Sequence, residues 1–162
     1  MAGDTIRIDG LEDAARALRE LPRKLRFGAL RKALRAAGRV IQAQARADAP
    51  VLQSVTKHRI RGLVRRSITV RASRLARRRG DLGVYVTVRR LTGQQVAAGK
   101  AAGFGVGRNP RDPFYFRFLE EGTKKMAARS FLGPALQSKG KDATTAFSDE
   151  LRRAIVVENS RR

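Results

Sequence analysis

The sequence predicts an α+β domain in which a long amphipathic helix near the start and a second helix near the end pack on one face of a small antiparallel β-sheet, with long basic loops. Three observations lead to this class. Apolar residues recur at helical spacing near both ends of the chain, and between these ends they alternate with polar residues in two runs. The length of 162 residues is typical of one domain, so we expect a single domain over residues 1–162.

The first long helix is predicted to begin at Pro22, because the missing N–H of a proline costs little in the first turn. It ends before Pro50. Its apolar stripe, which we expect to face the core, is Leu30, Leu34, Ala37, Ile41 and Ala45. Its basic residues mostly take the other faces and are Arg31, Lys32, Arg35 and Arg39. Upstream, residues 5–8 are predicted to form a short edge strand, and Asp9 to cap a shorter helix.

The middle of the chain predicts a hairpin. After a short helical turn at residues 62–67, apolar and polar residues alternate over residues 68–73 and 84–89, as in two paired strands. The tip, about residues 74–81, and a second segment, about residues 92–112, are predicted to be flexible basic loops. A third, core-building strand is predicted over residues 114–118, where every second residue is phenylalanine: Phe114, Phe116 and Phe118.

The stretch FLEEGTKKMAARSFLGPAL, residues 118–136, predicts a turn followed by a short helix. Gly122 is free to take the positive φ that such a turn needs. Ser130 is the predicted N-cap of the helix, with Pro134 in its first turn. The residues expected to pack inward are Phe131, Leu132 and Leu136. After a break at residues 139–141, a final helix places one face inward, and residues 158–162 form a frayed tail. That face is Ala143, Phe147, Leu151 and Ile155.

The chain is strongly basic. Its 36 Lys and Arg against 14 Asp and Glu give a formal net charge of +22, which favours contact with a polyanion such as nucleic acid or an acidic protein surface. It has no cysteine, so disulfides and thiolate metal sites are excluded. No apolar run approaches the roughly 20 residues of a membrane span, and we expect no secretory signal and no membrane partner.

The residues offer no convincing catalytic or metal site. Glu120 and Glu121 are adjacent, and on a strand their side chains would point to opposite faces, so they would not form one acid–base pair. We expect one of them to pair with an arginine, either Arg129 or one from a neighbouring subunit. His58 is the only histidine and lies in a polar, basic stretch. We therefore expect no catalytic residues, no metal and no cofactor.

The glycine-rich segment around Gly103, Gly105 and Gly107 resembles a phosphate-binding loop only superficially. A nucleotide-binding glycine loop follows a strand and opens a helix, whereas this one leads to Asn109-Pro110. We interpret it as a mobile basic loop that docks on a partner. The cations predicted to serve such docking, or to contact DNA without sequence preference, are Arg74, Arg77, Arg78, Arg79, Lys100, Arg108 and Arg111.

Three segments together resemble a known family. The most specific is the Glu120-x-Gly122-Thr123 element with Ala128–Leu132 and Pro134–Leu136 after it; the others are the basic helix after Leu21-Pro22 and RGLVRRSITVR at residues 61–71. This combination resembles the tail-completion proteins of long-tailed bacteriophages, also called tail-terminator, head–tail joining or neck proteins. The resemblance covers most of the chain except the two basic segments.

The resemblance implies a virion structural protein, not an enzyme. Such proteins form a homo-oligomeric ring, often six-fold, that terminates the tail tube and joins it to the head connector, with double-stranded DNA passing through the lumen. It implies as partners other copies of the chain, head-completion or connector proteins and the tail tube protein, with assembly in the host bacterial cytoplasm. The residues that it marks as a structural motif are Gly122, Thr123, Phe131 and Pro134, and the candidate inter-subunit ion pair is Glu120 or Glu121 with Arg129.

A different interpretation follows from charge alone. A chain with this excess of cations could be a non-specific nucleic-acid-binding protein that acts as a monomer or dimer. Ring formation favours the tail-completion protein, whereas a stable monomer whose DNA affinity falls steeply with salt favours the nucleic-acid-binding protein.

Overall fold

A computed structural model of the chain describes Arg16, Arg19 and residues 23–52, 59–104 and 109–160. The predictions for the strand at residues 5–8, for the cap at Asp9 and for His58 lie outside the described residues. The chain divides into two compact units: Met1–Ile41, Val70–Tyr85 and Ser138–Arg162 form the first, and Gln42–Thr69 and Val86–Gln137 form the second.

The fold class is α+β, as predicted. In chain order the elements are α1 (Arg23–Asp48), α2 (Leu63–Ser67), β1 (Ile68–Ala72), α3 (Arg74–Arg78), β2 (Val84–Val88), α4 (Gly93–Ala101), α5 (Phe116–Glu121) and α6 (Leu132–Asn159). Among the described residues, none of these helices combines the length and the hydropathy that a membrane span requires.

The two strands form an antiparallel hairpin, which confirms the predicted pairing. The N–H of Arg89 donates to the carbonyl of Ser67 at 2.8 Å, and the N–H of Ser73 donates to the carbonyl of Gly83 at 2.8 Å. This register sets Ile68 opposite Val88, and both are buried. The apolar alternation in the sequence therefore identified the inner face of the sheet correctly at its most buried end.

Helix α1 confirms the predicted orientation of its basic face, since Arg31, Lys32, Arg35 and Arg39 are all exposed. Its most buried alanines are Ala29, Ala33 and Ala45, and Ala49, directly after the helix, is buried as well. The leucines of the predicted stripe lie half-buried beside them. Small residues allow close approach: a Cβ built on Gly38 would lie 2.7 Å from Cγ1 of Val70. In the second unit, Gln42 Nε2 and Arg46 Nη2 donate to the carbonyl of Ile68 at 2.7 and 2.9 Å.

The core of the first unit joins α1 to α6. It comprises Ala29, Ala33, Leu151, Ala154 and Ile155, with Leu25, Leu30 and Phe147 packed against it. The predicted inner face of the final helix is confirmed, because Ala143, Leu151 and Ile155 are buried and Phe147 is half-buried. The predicted break at residues 139–141 is wrong, since α6 runs without interruption through Gly140. A glycine costs a helix about 1 kcal/mol, which packing of the buried face outweighs.

The predicted third strand is also wrong. Residues 116–121 form α5, which is preceded by a turn in which the N–H of Phe116 donates to the carbonyl of Pro113 at 3.0 Å. The three phenylalanines therefore do not share a face: Phe116 is buried, Phe114 is half-buried and Phe118 is exposed. A short apolar run with period two does not distinguish a strand from a helix.

Both predicted basic loops contain helices. Residues 74–78 form α3, where the Ser73 hydroxyl accepts from the N–H of Ala76 at 3.2 Å. Residues 93–101 form α4, which begins with a capping box between Thr92 and Gln95. In each helix, a side chain at the N-terminus accepts a hydrogen bond from a backbone N–H group that would otherwise bond to water. This capping explains why the two segments form helices.

Candidate functional site

The Glu120 carboxylate lies at the centre of the candidate site, where it caps the start of α6. The Ser130 hydroxyl donates to Oε1 at 2.6 Å, and the N–H of Phe131 donates to Oε2 at 3.0 Å. The N–H groups of Leu132 and Gly133 each donate to Oε1 at 3.2 Å. The first N–H groups of a helix have no hydrogen-bond partner within the helix. Here the Glu120 carboxylate accepts hydrogen bonds from three of them. It also places a negative charge at the positive end of the helix dipole.

The electrostatics of Glu120 reflect this role. Burial alone would raise the pKa of this carboxyl, but the hydrogen bonds from Ser130 and from the backbone of Phe131, Gly133 and Leu132 outweigh it and hold the pKa below its ordinary value of 4.5. The group is therefore ionised at neutral pH with both oxygens occupied. A carboxylate in this state is suited to holding a helix in place and not to accepting or donating a substrate proton.

A tight turn brings Glu120 to the helix that it caps. Gly122 follows α5 with φ 78°, a left-handed conformation that favours glycine. Thr123 and Met126 pair across the turn, with the N–H of Thr123 donating to the Met126 carbonyl at 2.8 Å. A Cβ on Gly122 would lie 2.9 Å from the backbone nitrogen of Ala128. The geometry of this turn therefore explains why the sequence motif has a glycine followed by Thr123.

The apolar part of the motif anchors the capped helix. Phe131 is fully buried and Ala135 is fully buried one turn later. Pro134 is the third residue of α6, which confirms its predicted place in the first turn. The expectation that Leu136 packs inward is wrong, since it is 56% exposed. The predicted capping role of Ser130 is wrong as well: its hydroxyl donates to Glu120, which is the cap.

Among the residues that the structure describes, the two carboxylates do not meet Arg129, the partner predicted from within the chain. The ion pairs among the described residues are Arg90 with Asp112 and Lys139 with Asp142, so neither Glu120 nor Glu121 pairs with Arg129 there. Glu121 and Arg129 are both exposed. The structure thus separates the two carboxylates by role, with Glu120 engaged at the helix start and Glu121 open to solvent.

An apolar groove opens in the second unit beside the motif. It holds about 510 Å³ and is lined by residues 50–52 and 62–64 together with Arg59, Tyr115, Phe118, Leu119, Thr123, Met126 and Arg129. Phe118 is 50% exposed, and Val51 and Met126 are each 37% exposed. We call this surface the Tyr115 groove. Sequence reasoning missed it because it had assigned Phe118 to the core face of a strand.

Among the described residues, the charged groups that line the Tyr115 groove are two arginines, Arg59 and Arg129. The guanidinium carbon of Arg59 lies 4.5 Å from the ring centroid of Tyr115, a cation–π contact, and Phe114 meets the same ring edge-on at 5.8 Å. Burial raises the pKa of Tyr115, with Arg59 opposing this shift, so the phenol stays protonated at neutral pH. The groove is thus apolar at its base and electropositive at its rim.

The predicted docking cations that the structure describes are exposed, and they belong to two different units. Arg74, Arg77 and Arg78 lie on α3 and Arg79 directly follows it, all within the first unit. Lys100, at the end of α4, and Arg111 belong to the second unit, and Arg108 lies outside the described residues. No cluster of His, Cys, Asp or Glu in the described part of the chain could hold a metal ion.

Comparison with known proteins gives one match. Residues 12–122 match the model of the family described as "Bacteriophage HK97-gp10, putative tail-component", which spans the chain from before α1 to the glycine that ends α5. No curated protein matches the chain. No solved structure matches it either.

Proposed function

The chain belongs to the HK97-gp10-like family of bacteriophage tail components, and on that premise we propose that it forms a ring at the neck of a tailed phage. Copies of the chain, six in number if the ring follows the family that the sequence resembles, terminate the tail tube and join it to the head connector. The ring is assembled in the host cytoplasm and remains in the virion. Closure of such a ring requires a head-to-tail contact between identical subunits.

One observation carries this proposal beyond the family membership. The carboxylate that first suggests chemistry, Glu120, is fully committed to four hydrogen bonds at the start of α6. The most distinctive motif of the chain therefore has a structural role, and the described surface includes a basic exterior and an exposed apolar groove. Both are suited to binding other macromolecules, so we propose that the chain has no enzymatic activity.

The net charge of +22 supports a position around DNA. Exposed arginines along a channel contact phosphates without sequence preference. We propose that Arg74, Arg77, Arg78 and Arg79 face the lumen or a neck protein, and that Lys100, Arg108 and Arg111 do the same from the second unit. The protein partners are head-completion or connector proteins on one side and the tail tube protein on the other.

We assign the inter-subunit ion pair to Glu121 and Arg129 in preference to Glu120. Both side chains are exposed, and neither has an ion-pair partner among the described residues. A charge that is unpaired within one chain remains available to a neighbouring chain, where it also guides the register of docking.

The proposal is tested with the phage that carries this chain, by placing a nonsense codon in its gene. In a suppressor-free host we expect filled heads and separate tails, some of them overlong, by electron microscopy. Purified wild-type protein added to the lysate should restore infectious particles. Infectious virions at normal titre without the protein would refute a neck role.

A charge-reversal pair tests the role of α3. One variant changes four cations to glutamate at Arg74, Arg77, Arg78 and Arg79. The matched control changes four exposed cations of α1: Arg31, Lys32, Arg35 and Arg39. We expect the first variant to fold but fail to restore joining, and the control to restore it. Equal restoration by both would assign the α3 cations no specific role.

Non-specific nucleic-acid binding is the second candidate, and the net charge is the observation that favours it. Under this candidate the purified protein stays monomeric or dimeric, and its affinity for DNA falls by orders of magnitude as salt rises. Negative-stain images with light scattering distinguish the two. Rings with a central hole, alone or on added tail tubes, support the neck ring, whereas monomers with steep salt-dependent DNA binding and normal virions in the nonsense mutant support the alternative.

A further inference from the structure

The Tyr115 groove contains two polar groups without partners among the described residues. Tyr115 lines the groove with only 6% of its surface exposed, and its hydroxyl has no hydrogen-bond partner in the described part of the chain. The hydroxyl is nonetheless not sealed from the surface. The guanidinium carbon of Arg59 lies 4.5 Å from the centre of the Tyr115 ring, and this side chain has no ion-pair partner among the same residues. Two hydrogen-bond donors are therefore available side by side to a bound group.

The donor character of both groups determines which ligand chemistry fits them. An arginine guanidinium has only donors, and a protonated phenol offers one O–H donor. Burial raises the pKa of Tyr115, so the phenol keeps its proton at neutral pH. A carboxylate has two oxygens that accept hydrogen bonds, so a single carboxylate can accept from both donors. The pair formed by Arg59 and Tyr115 therefore fits a carboxylate better than a cationic group.

The surroundings of this pair are apolar. Phe118, which is 50% exposed, and Met126, which is 37% exposed, line the same groove. Its volume of about 510 Å³ lies within the roughly 300–1,000 Å³ of clefts that bind ligands. Apolar side chains beside the carboxylate would cover this surface, and the exclusion of water would strengthen the charged hydrogen bonds. The fitting ligand is therefore a peptide segment in which an Asp or Glu is flanked by large apolar residues.

The charge of the chain favours a different protein as the source of this segment. The chain has 36 cations against 14 acids, so a second copy is repelled and an acidic partner is attracted. Arg129 also lines the groove, but the carboxylate site does not require it, because we assign Arg129 to Glu121 of a neighbouring copy. In the proposed neck, the other proteins that the chain meets are the head-completion or connector proteins and the tail tube protein.

We propose that the Tyr115 groove binds an acidic, apolar peptide segment of another virion protein. The carboxylate of that segment accepts hydrogen bonds from Arg59 and from the Tyr115 hydroxyl, and its apolar side chains cover Phe118 and Met126. This inference rests on the proposed neck position, which identifies the partner as a protein of the same particle. The groove then provides a contact between the ring and a different protein, separate from the ion pair between copies.

Peptide binding with the purified full chain tests the proposal. Overlapping short peptides cover the other virion proteins of the phage and also this chain itself. Peptides that bind are measured by fluorescence anisotropy against the wild type and two variants: Tyr115→Phe, which removes only the hydroxyl, and Arg59→Gln, which removes the charge. The matched controls are Tyr85→Phe, at a tyrosine that is 46% exposed, and Arg61→Gln, at an exposed arginine that does not line the groove.

We expect the wild-type chain to bind peptides in which an Asp or Glu adjoins a large apolar residue. Tyr115→Phe should weaken this binding about tenfold and Arg59→Gln about 10- to 100-fold, because each removes a hydrogen bond to a charged group. The two control variants should bind as the wild type does. Changing the acid of the peptide to its amide should weaken binding to the wild type by a similar factor but add little in Arg59→Gln, because both changes remove the same interaction. Tyr115→Phe should unfold at the wild-type temperature, since its hydroxyl has no partner among the described residues.

The proposal is overturned if no peptide of the other virion proteins binds more tightly to the wild type than to Arg59→Gln, or if binding does not depend on the acid of the peptide. Binding only to peptides of this chain would also overturn it and would make the groove a contact between copies. If wild-type protein still restores joining in the nonsense mutant, the neck role stands and only the groove contact is lost. Acid-dependent binding together with normal virions in the nonsense mutant would instead refute the neck role.

Discussion

Replacement of Glu120 by alanine removes the acceptor on which the start of α6 depends. The Ser130 hydroxyl and the backbone N–H groups of Phe131, Leu132 and Gly133 would all lose their partner. Loss of a helix N-cap costs about 0.5–2 kcal/mol. Hydrogen bonds to a charged group contribute about 1.5–3 kcal/mol each in buried settings. At this half-buried carboxylate the contribution is smaller, because water can hydrogen-bond to the groups that lose their partner. We therefore expect the free energy of unfolding to fall by about 2–3 kcal/mol.

The isosteric variant separates charge from hydrogen bonding. Glu120→Gln keeps the shape and one carbonyl acceptor but loses the negative charge at the helix start, so we expect about half the loss seen with alanine. In a chain of this length a loss of 1 kcal/mol lowers the Tm by about 2–4 °C, so Glu120→Ala should lower it by about 4–12 °C.

The pH dependence provides an independent check of the same contact. Because the folded state holds the pKa of Glu120 below 4.5, folding is favoured by ionisation of this group. Its contribution is complete above the unfolded pKa and is lost as the pH falls through the lower folded pKa. The difference in unfolding free energy between wild type and Glu120→Gln should thus be constant from about pH 7 down to about pH 5 and should shrink at lower pH.

Urea unfolding followed by circular dichroism measures these differences. Glu121→Ala is the matched control, because the neighbouring glutamate is exposed and has no ion-pair partner among the described residues. We expect that variant to change the free energy of unfolding by no more than about 0.5 kcal/mol. Equal effects of the two alanine variants, or a wild-type advantage over Glu120→Gln that persists unchanged to low pH, would refute the capping role of Glu120.

Three further predictions concern stability and are measured by the same unfolding experiments. Gly122→Ala should destabilise the protein by about 1–3 kcal/mol, because position 122 has a positive φ and the new Cβ would lie 2.9 Å from a backbone nitrogen. Gly28→Ala is the control: it lies in a helix with nothing within 4 Å of the new Cβ, so it should stabilise the protein by about 0.4–1 kcal/mol. A change of the same sign in both variants would contradict the turn geometry. Phe131→Ala should cost about 3–5 kcal/mol because the ring is fully buried, and Leu136→Ala, at 56% exposure, should cost far less. Thr92→Ala removes the capping box of α4 and should cost about 1 kcal/mol, with loss of helical signal; an unchanged spectrum and stability would count against that helix.

The sequence was informative wherever one periodicity extended over many residues. The exposed cations of α1, the inner face of the final helix around Leu151 and Ile155, and the hairpin register near Ile68 and Val88 all follow from such patterns. A long amphipathic pattern has few alternatives, because a different period would expose most of its apolar residues. The fold class could therefore be predicted from these long patterns, although the shorter elements could not.

Short segments were predicted poorly because capping, and not periodicity, decides their structure. Residues 114–118 alternate as a strand does, yet Gly122 shortly after them is a residue that commonly follows a helix, and that signal was available. The Thr92-x-x-Gln95 capping box was likewise present in a segment interpreted as a loop. The role of Glu120 could not be read in the same way, because it depends on a contact with residues about ten positions further along the chain.

The contact of Glu120 with the start of α6 lies at the boundary of the family match. The match ends at residue 122, immediately after Glu120, while the helix that Glu120 caps begins at Leu132. That helix continues for 28 residues and supplies Leu151, Ala154 and Ile155 to the core that also contains Ala29 and Ala33 of α1. The matched part of the chain therefore lacks the helix that supplies three residues of this core, and the carboxylate at its end accepts from the first N–H groups of that helix. A structural protein needs that start position to be defined, because a shift of one residue in α6 would rotate its apolar face by about 100° away from the core.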